Sequence, residues 1–268
     1  MLIKIPNRCF ITLSGNDVKS FLQGITTIDI DKINSEQGGW GAVLSPQGKF
    51  QYGFFIFEYK NTLYIETNED NLMDLGKHLT KFAVNIDVVF AINKNITVYA
   101  DLSETNNKNN VTIKNDILTM NDPRHNVMGK RIYGLLNQEL DAITDNYQYE
   151  KIRIKNTVVD LDTDGIFNNS YPLELNMDKL NGVNFDKGCF IGQEVTARMH
   201  YRNSVKKNAY TIEANQKLQS QNEITNSSGR VIATLTSAID NIGIAIIRNQ
   251  HINEDLYIGK NKINILKK

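Results

Sequence analysis

Cysteine is almost absent from this 268-residue chain, which has only Cys9 and Cys189. Two thiols so far apart exclude a disulfide framework and, within one chain, the four-thiolate cage of a typical iron–sulfur cluster. The four histidines, His78, His125, His200 and His251, show no HExxH or related ligand spacing, so no dedicated metal site is expected. Net charge is missing as well. Thirty Lys and Arg balance thirty Asp and Glu, which removes any global positive field for nucleic acid or an anionic membrane and leaves room only for local basic patches. No apolar run approaches the roughly 18 residues that span a bilayer. Pro6 and Arg8 interrupt the N-terminal stretch where a signal peptide needs unbroken apolar residues, so secretion is disfavoured and a cytoplasmic location is expected. What remains is an ordinary globular composition, 41% hydrophobic and 22% charged. At roughly 150 residues per domain, the length suggests about two domains.

Periodicity and turn signals divide the chain. Val18, Phe21 and Leu22 give residues 16–23 the spacing of a one-sided helix that Gly24 is placed to end. Residues 40–44, 50–59 and 62–67 read as aromatic, β-branched strands, the last two joined across Lys60 and Asn61 like a hairpin. Leu72, Leu75, Leu79 and Phe82 return to helical spacing before strands at 86–92 and 96–101. Helices mixed with hairpin-linked strands favour α+β over a parallel sheet. After a polar loop at 103–110, β structure is expected at 111–120 and 129–134, and helix at 138–155. Beyond Tyr201, short strands at 208–213, 230–237, 242–249 and 263–266 suggest a small β-barrel. The expected units are an N-terminal α+β domain at 1–102, a central α+β domain at 103–204 and a C-terminal β-barrel at 205–268.

The stretch from Phe185 to Arg198 carries the most chemistry. Gly188 and Gly192 flank Cys189 and permit tight backbone geometry, while residues 194–201 can continue as a helix. Cys189 near a helix N-terminus, with Lys187 and Arg198 as neighbours, would favour thiolate over thiol. The alternative is that Cys189, beside Phe190 and Ile191, is a small buried hydrophobe, the role expected of Cys9.

The run Lys187-Gly188-Cys189-Phe190-Ile191-Gly192-Gln193-Glu194, with Arg198, closely resembles the signature of the YgfZ folate-binding family, relatives of the glycine-cleavage aminomethyltransferase. The resemblance extends to Arg8, Gly15, the Phe21–Gly24 block and Asp29; to Leu44 through Lys49; to Asp122-Pro123-Arg124 with Gly129-Lys130-Arg131; and to Pro172, Glu174 and Asn176. It implies a GcvT/YgfZ-like multi-domain cloverleaf around a central channel that takes a tetrahydrofolate, with a role in maturing or maintaining iron–sulfur enzymes, including tRNA-modifying ones. Where the aminomethyltransferase carries an acidic pair, one member catalytic, this chain has Tyr52-Gly53. A phenol with an ordinary pKa near 10 cannot stand in for an ionised carboxylate, which argues against methylene transfer.

A folate needs a slot for its flat pterin, a polar group for the ring's N–H edge and cations for its glutamate tail. The resemblance makes Glu174 the pterin candidate, with a structural hydrogen bond as its equal alternative and Asp160 and Asp162 as competitors. Trp40, Tyr52 and Phe54 are candidate walls, and Lys49, Lys187, Arg198 and Arg202 candidate tail contacts; each also has an ordinary reading as core aromatic or solvated cation. Three functions compete. The leading one is a tetrahydrofolate-binding accessory protein acting on iron–sulfur client enzymes or cluster-assembly proteins through Cys189, without a classical turnover of its own. The second is a folate-dependent one-carbon transferase using an unrecognised acid or base. The third is an RNA-binding module built on Arg198, His200, Tyr201, Arg202, Lys206 and Lys207, disfavoured because that stretch is short and the chain neutral.

Overall fold

The computed structural model describes residues 2–105 and 109–266. The chain begins with β1 (Leu2–Ile5), β2 (Arg8–Ser14), α1 (Val18–Ile25), β3 (Gly39–Leu44), β4 (Phe50–Tyr59), β5 (Thr62–Asn68), α2 (Leu72–Phe82), β6 (Val89–Asn93) and β7 (Thr97–Asp101). It continues through β8 (Val111–Lys114), β9 (Ile117–Asn121), β10 (Lys130–Gly134), α3 (Tyr147–Lys155), α4 (Leu161–Asp164) and α5 (Gln193–Tyr201). Last come β11 (Lys207–Ala214), β12 (Glu223–Asn226), β13 (Val231–Ile239), β14 (Ile242–Arg248), β15 (Leu256–Ile258) and β16 (Asn261–Leu266).

These strands form two five-stranded antiparallel sheets and a closed barrel. The first sheet runs β3-β4-β5-β2-β6, the second β1-β7-β10-β9-β8, and the barrel β11-β14-β13-β12-β15-β16. Strand alternation sends Cys9, Ile11, Leu13, Tyr52, Phe54 and Ile56 of the first sheet toward α1 and α2, and Phe10, Trp40, Phe55 and Phe57 toward the core shared with the second sheet. Both faces are therefore covered, which is why β4 is apolar nearly throughout rather than alternating. The barrel docks on α3 and the turn after it, where Arg153 donates to Ser237 at 2.9 Å and Thr157, just past the helix, meets Thr211 at 2.7 Å.

The structure has the expected α+β content and C-terminal barrel, and differs in instructive places. The expected boundary at 102 runs through the second sheet, which takes β1 and β7 from one side of it and β8 to β10 from the other. The single β segment expected at 111–120 is a hairpin, turned by Asn115 and Asp116 at positive φ of 51° and 57°. The helix expected over 138–155 is confined to α3. Ile143 is instead bonded to β1, giving its carbonyl to Lys4 at 2.8 Å and its N–H to Leu2 at 3.0 Å, so that backbone is not available to a helix.

Candidate functional site

The cysteine turn is built against the segment around Gly48. Gly192, at φ 84°, caps α5, and a Cβ there would lie 2.7 Å from the Ser45 carbonyl oxygen. Gly48, at φ 74°, would in turn meet Val195 at 3.0 Å, so only glycines let the two segments approach this closely. Cys189 is exposed and Cys9 buried. Burial pushes the Cys9 thiol up to about 11, consistent with an inert core position.

Lys187 points away from solvent. Its ammonium donates to three carbonyls at the C-terminal end of α1, those of Gln23 (2.8 Å), Thr26 (2.7 Å) and Ile28 (2.7 Å). Burial pushes its pKa down to about 8, against the opposing pull of Asp29 and Asp31. Ile191 N–H to Gly24 at 3.1 Å and Asn184 N–H to Thr27 at 2.8 Å fasten the same turn to α1. Lys187 is thus an anchor for the cysteine turn, with its three donors committed to the backbone. Arg198 and Arg202 are exposed, on α5 and just beyond its end.

Two cavities flank Trp40, which lines both. One, of about 560 Å³, is bounded by Trp40, Asn109, Asp178, Phe185, His200 and Tyr201 among others. Phe185 and His200 stack there at 3.8 Å and 17°. A Cβ on Gly182 would sit 2.4 Å from the Trp40 ring, so glycine is required where the chain passes the indole. The other cavity, of about 240 Å³, has Arg8, Gly53, Arg131, Asp160 and Asp162 in its wall. A Cβ at Gly53 would lie 2.7 Å from Leu161, so the Leu161 side chain packs directly over this glycine.

Tyr52 and Glu174 line neither of these cavities. Tyr52 projects from the opposite face of β4, between His78 at 5.7 Å and Phe167 at 5.4 Å, and burial raises its pKa. Glu174 accepts from the Tyr171 N–H at 3.0 Å, closing a capping box around a short 3₁₀ turn, and pairs with Lys207 at 3.4 Å. Period-2 alternation and local capping direct the two side chains away from these two cavities.

The C-terminal barrel matches the family described as CAF17, C-terminal beta-barrel domain, over residues 206–267. Iron-sulfur cluster assembly factor IBA57 homolog, mitochondrial, of Neurospora crassa is 25% identical over 229 residues, covering 77% of this chain and 52% of that protein. IBA57 of Mus musculus is 24% identical, covering 95% and 79%. The tRNA-modifying protein YgfZ of Vibrio vulnificus is 26% identical, covering 78% and 68%. The chain is a homologue of the YgfZ and IBA57 proteins. That bears out the resemblance carried by the cysteine motif, although the chain spans only about half of the Neurospora crassa relative and 62% of the one from Dictyostelium discoideum. Glycine cleavage system aminomethyltransferase T from Bartonella henselae aligns with a TM-score of 0.77 over 99% of this chain and 84% of that one; at 12% identity this shows a shared fold. Among the described residues no helix is long and apolar enough to cross a membrane. The IBA57 relatives are named as mitochondrial, so the expected cytoplasmic location gains no support from them.

Sequence reasoning missed the buried charge network behind the smaller cavity. Glu66 accepts from Arg8 at 2.6 Å, from Arg131 and from Tyr133 at 2.9 Å. Asp122 holds Arg124, which donates to Tyr149 at 2.7 Å. Arg131 lies over the Phe55 ring at 3.9 Å. At the cavity wall, burial and then the charge of Asp160 push the Asp162 carboxyl up to about 6, despite Arg8 at 3.1 Å and Asn71 at 2.8 Å. Asp160 itself is held below the usual range, because Arg153, Arg8 and Arg124 together outweigh its burial. Between the ordinary value of 3.8 and about 6 the folded protein binds more protons at Asp162 than the unfolded chain. The Asp162 contribution to stability is therefore full below the first value and lost as pH rises through the second. A carbon-13 NMR titration should place the Asp162 midpoint near 6, falling in Asp160→Asn; a wild-type midpoint near 4 would contradict this account.

Proposed function

We propose that this chain binds a reduced folate and supports the assembly, repair or maintenance of iron–sulfur enzymes, tRNA-modifying ones among them. The observation that carries the reading is the exposed Cys189, held on a turn that Lys187 and Gly192 fix against α1 and the Gly48 segment. One thiolate can supply a single ligand to a client's iron or attack a disulfide or persulfide, whereas a resident cluster takes about four protein ligands. The partners in this reading are iron–sulfur client enzymes or cluster-assembly proteins, and the names of the relatives support it. The residues also fit a folate ring: the larger cavity has a ligand-sized volume and an aromatic wall at Trp40 and Phe185. Methylene transfer is the weaker reading. Leu161 occupies the space at Gly53, and Asp162, the carboxyl that could replace the missing acid, is engaged by Arg8 and Asn71.

Cys189→Ser should leave thermal stability unchanged yet fail to restore iron–sulfur enzyme activity in cells lacking the native protein. In the native state iodoacetamide should modify Cys189 and spare Cys9. Full complementation by Cys189→Ser would remove the thiol from the function.

A further inference from the structure

We infer that the outer edge of β6 and the apolar groove between β6 and α2 form a docking site for an extended, acidic segment of a partner protein, which adds to the first sheet as a further strand. β6 ends that sheet: β2 pairs with one of its edges, and among the described residues no strand pairs with the other. Beside that edge lies a groove of about 680 Å³. Register puts Phe90 and Ile92 opposite Leu13 and Ile11, so both point to the α2 side of the sheet, where they line the groove with Leu72 and Met73. Ile92 is 52% exposed and Met73 58%. Single exposed apolar residues are ordinary, but here they gather in one depression next to an open backbone edge.

Native sheets usually blunt such an edge with lysine, proline, a bulge or a covering loop. β6, Val89-Phe90-Ala91-Ile92-Asn93, has neither charge nor proline, and it keeps one register along β2 without a bulge. An edge of this kind takes an extended chain through main-chain hydrogen bonds, and alternate side chains of that chain fall into the adjoining groove. Charge then selects the partner. The groove lining includes two ammoniums, Lys77 and Lys81, and no carboxylate. Lys77 is shared with Asp74 at 3.3 Å on the same helix, whereas Lys81 has no ion-pair partner among the described residues. Carboxylates on the incoming strand complement this lining. A second copy does not: pairing β6 with β6 about a twofold axis keeps both α2 helices on one side of the joined sheet and sets their lysines against each other. The surface shares no residue with the cysteine turn or with the cavities at Trp40, so the inference rests on neither the folate nor the thiol reading.

The test uses the full chain at low salt and a synthetic peptide of about eight residues, in which valine and threonine alternate before two terminal glutamates. A second peptide ends in two lysines instead, and backbone amide shifts of the protein are followed by NMR. The acidic peptide should shift α2 and β6 alone and bind on the order of 3- to 10-fold more tightly than the basic one, the gap closing at high salt. Lys81→Glu should reverse that order, and Ile92→Asp should abolish binding of the acidic peptide. Copies of the acidic peptide N-methylated at every second residue, made in both phases, test the backbone without altering the protein. Because alternate amides of a strand face its neighbour, one phase should lose binding and the other keep it. Equal behaviour of the two phases, or shifts outside α2 and β6, would overturn strand addition. A basic peptide that binds as tightly as the acidic one would overturn the charge selection, and binding of neither would overturn the site. Sedimentation showing a dimer that Ile92→Asp makes monomeric would overturn the acidic partner in favour of a second copy.

Discussion

Glu66→Ala is expected to destabilise the protein by about 3–5 kcal/mol, the usual loss when one partner of a buried ion pair is removed and the other is left uncompensated. Register explains why a carboxylate is there at all. Glu66 lies opposite Phe10 on β2 and Phe55 on β4, hence on the inner face of the first sheet, where it meets Arg131 and Tyr133 from β10 of the second. Burial opposes its ionisation, and the Arg131 and Arg8 guanidiniums reverse that, leaving its pKa below the usual value. The network therefore joins the two sheets only while all members remain. Urea denaturation followed by circular dichroism measures the loss. The double variant Glu66→Leu with Arg131→Met should recover much of it, since apolar replacement of a buried pair is often neutral or better. A loss below about 1 kcal/mol in Glu66→Ala would mean that Arg8 and Arg131 are satisfied by other groups.

Much of this architecture could be read from local pattern. The β4 strand has the expected bounds because a segment covered on both faces is apolar throughout and ends at a turn, here Lys60 and Asn61 at positive φ. The β12 and β15 strands, four and three residues long, are too short to show a period. Residues 138–146 were misread because the competing partner, β1, is remote in sequence. The site divides the same way. Gly192 and Cys189 stand out through turn chemistry, whereas the Glu174 bond to the Tyr171 N–H has no local signature, because Tyr171 is not a Ser or Thr cap. Alternation alone places Tyr52 and Gly53 on opposite faces of β4. The pairing of Glu66 with Arg8 and Arg131 spans 58 and 65 residues, and no local pattern announces it. Asn109 and Asp178 likewise carry no motif; their meeting at one cavity is a product of the tertiary fold.

Lys187→Met should cost about 2–4 kcal/mol and disable the cysteine turn together with it. The substitution keeps the length of the side chain and removes the one ammonium that satisfies the Gln23, Thr26 and Ile28 carbonyls, leaving acceptors worth about 1–3 kcal/mol each, less whatever entering water recovers. Lys187→Arg should rescue poorly, because a planar fork cannot converge three donors from one nitrogen. The remaining ties, Ile191 to Gly24 and Asn184 to Thr27, hold the turn only at its flanks, so amide exchange should accelerate in α1 and across residues 184–192. Cys189→Ser, at an exposed position, should change neither stability nor exchange. The pair of variants thus separates anchoring from chemistry. If Lys187→Met leaves stability within about 0.5 kcal/mol and exchange unaltered, yet abolishes support of iron–sulfur enzymes, Lys187 acts on the reaction at Cys189 itself and the anchor assignment fails.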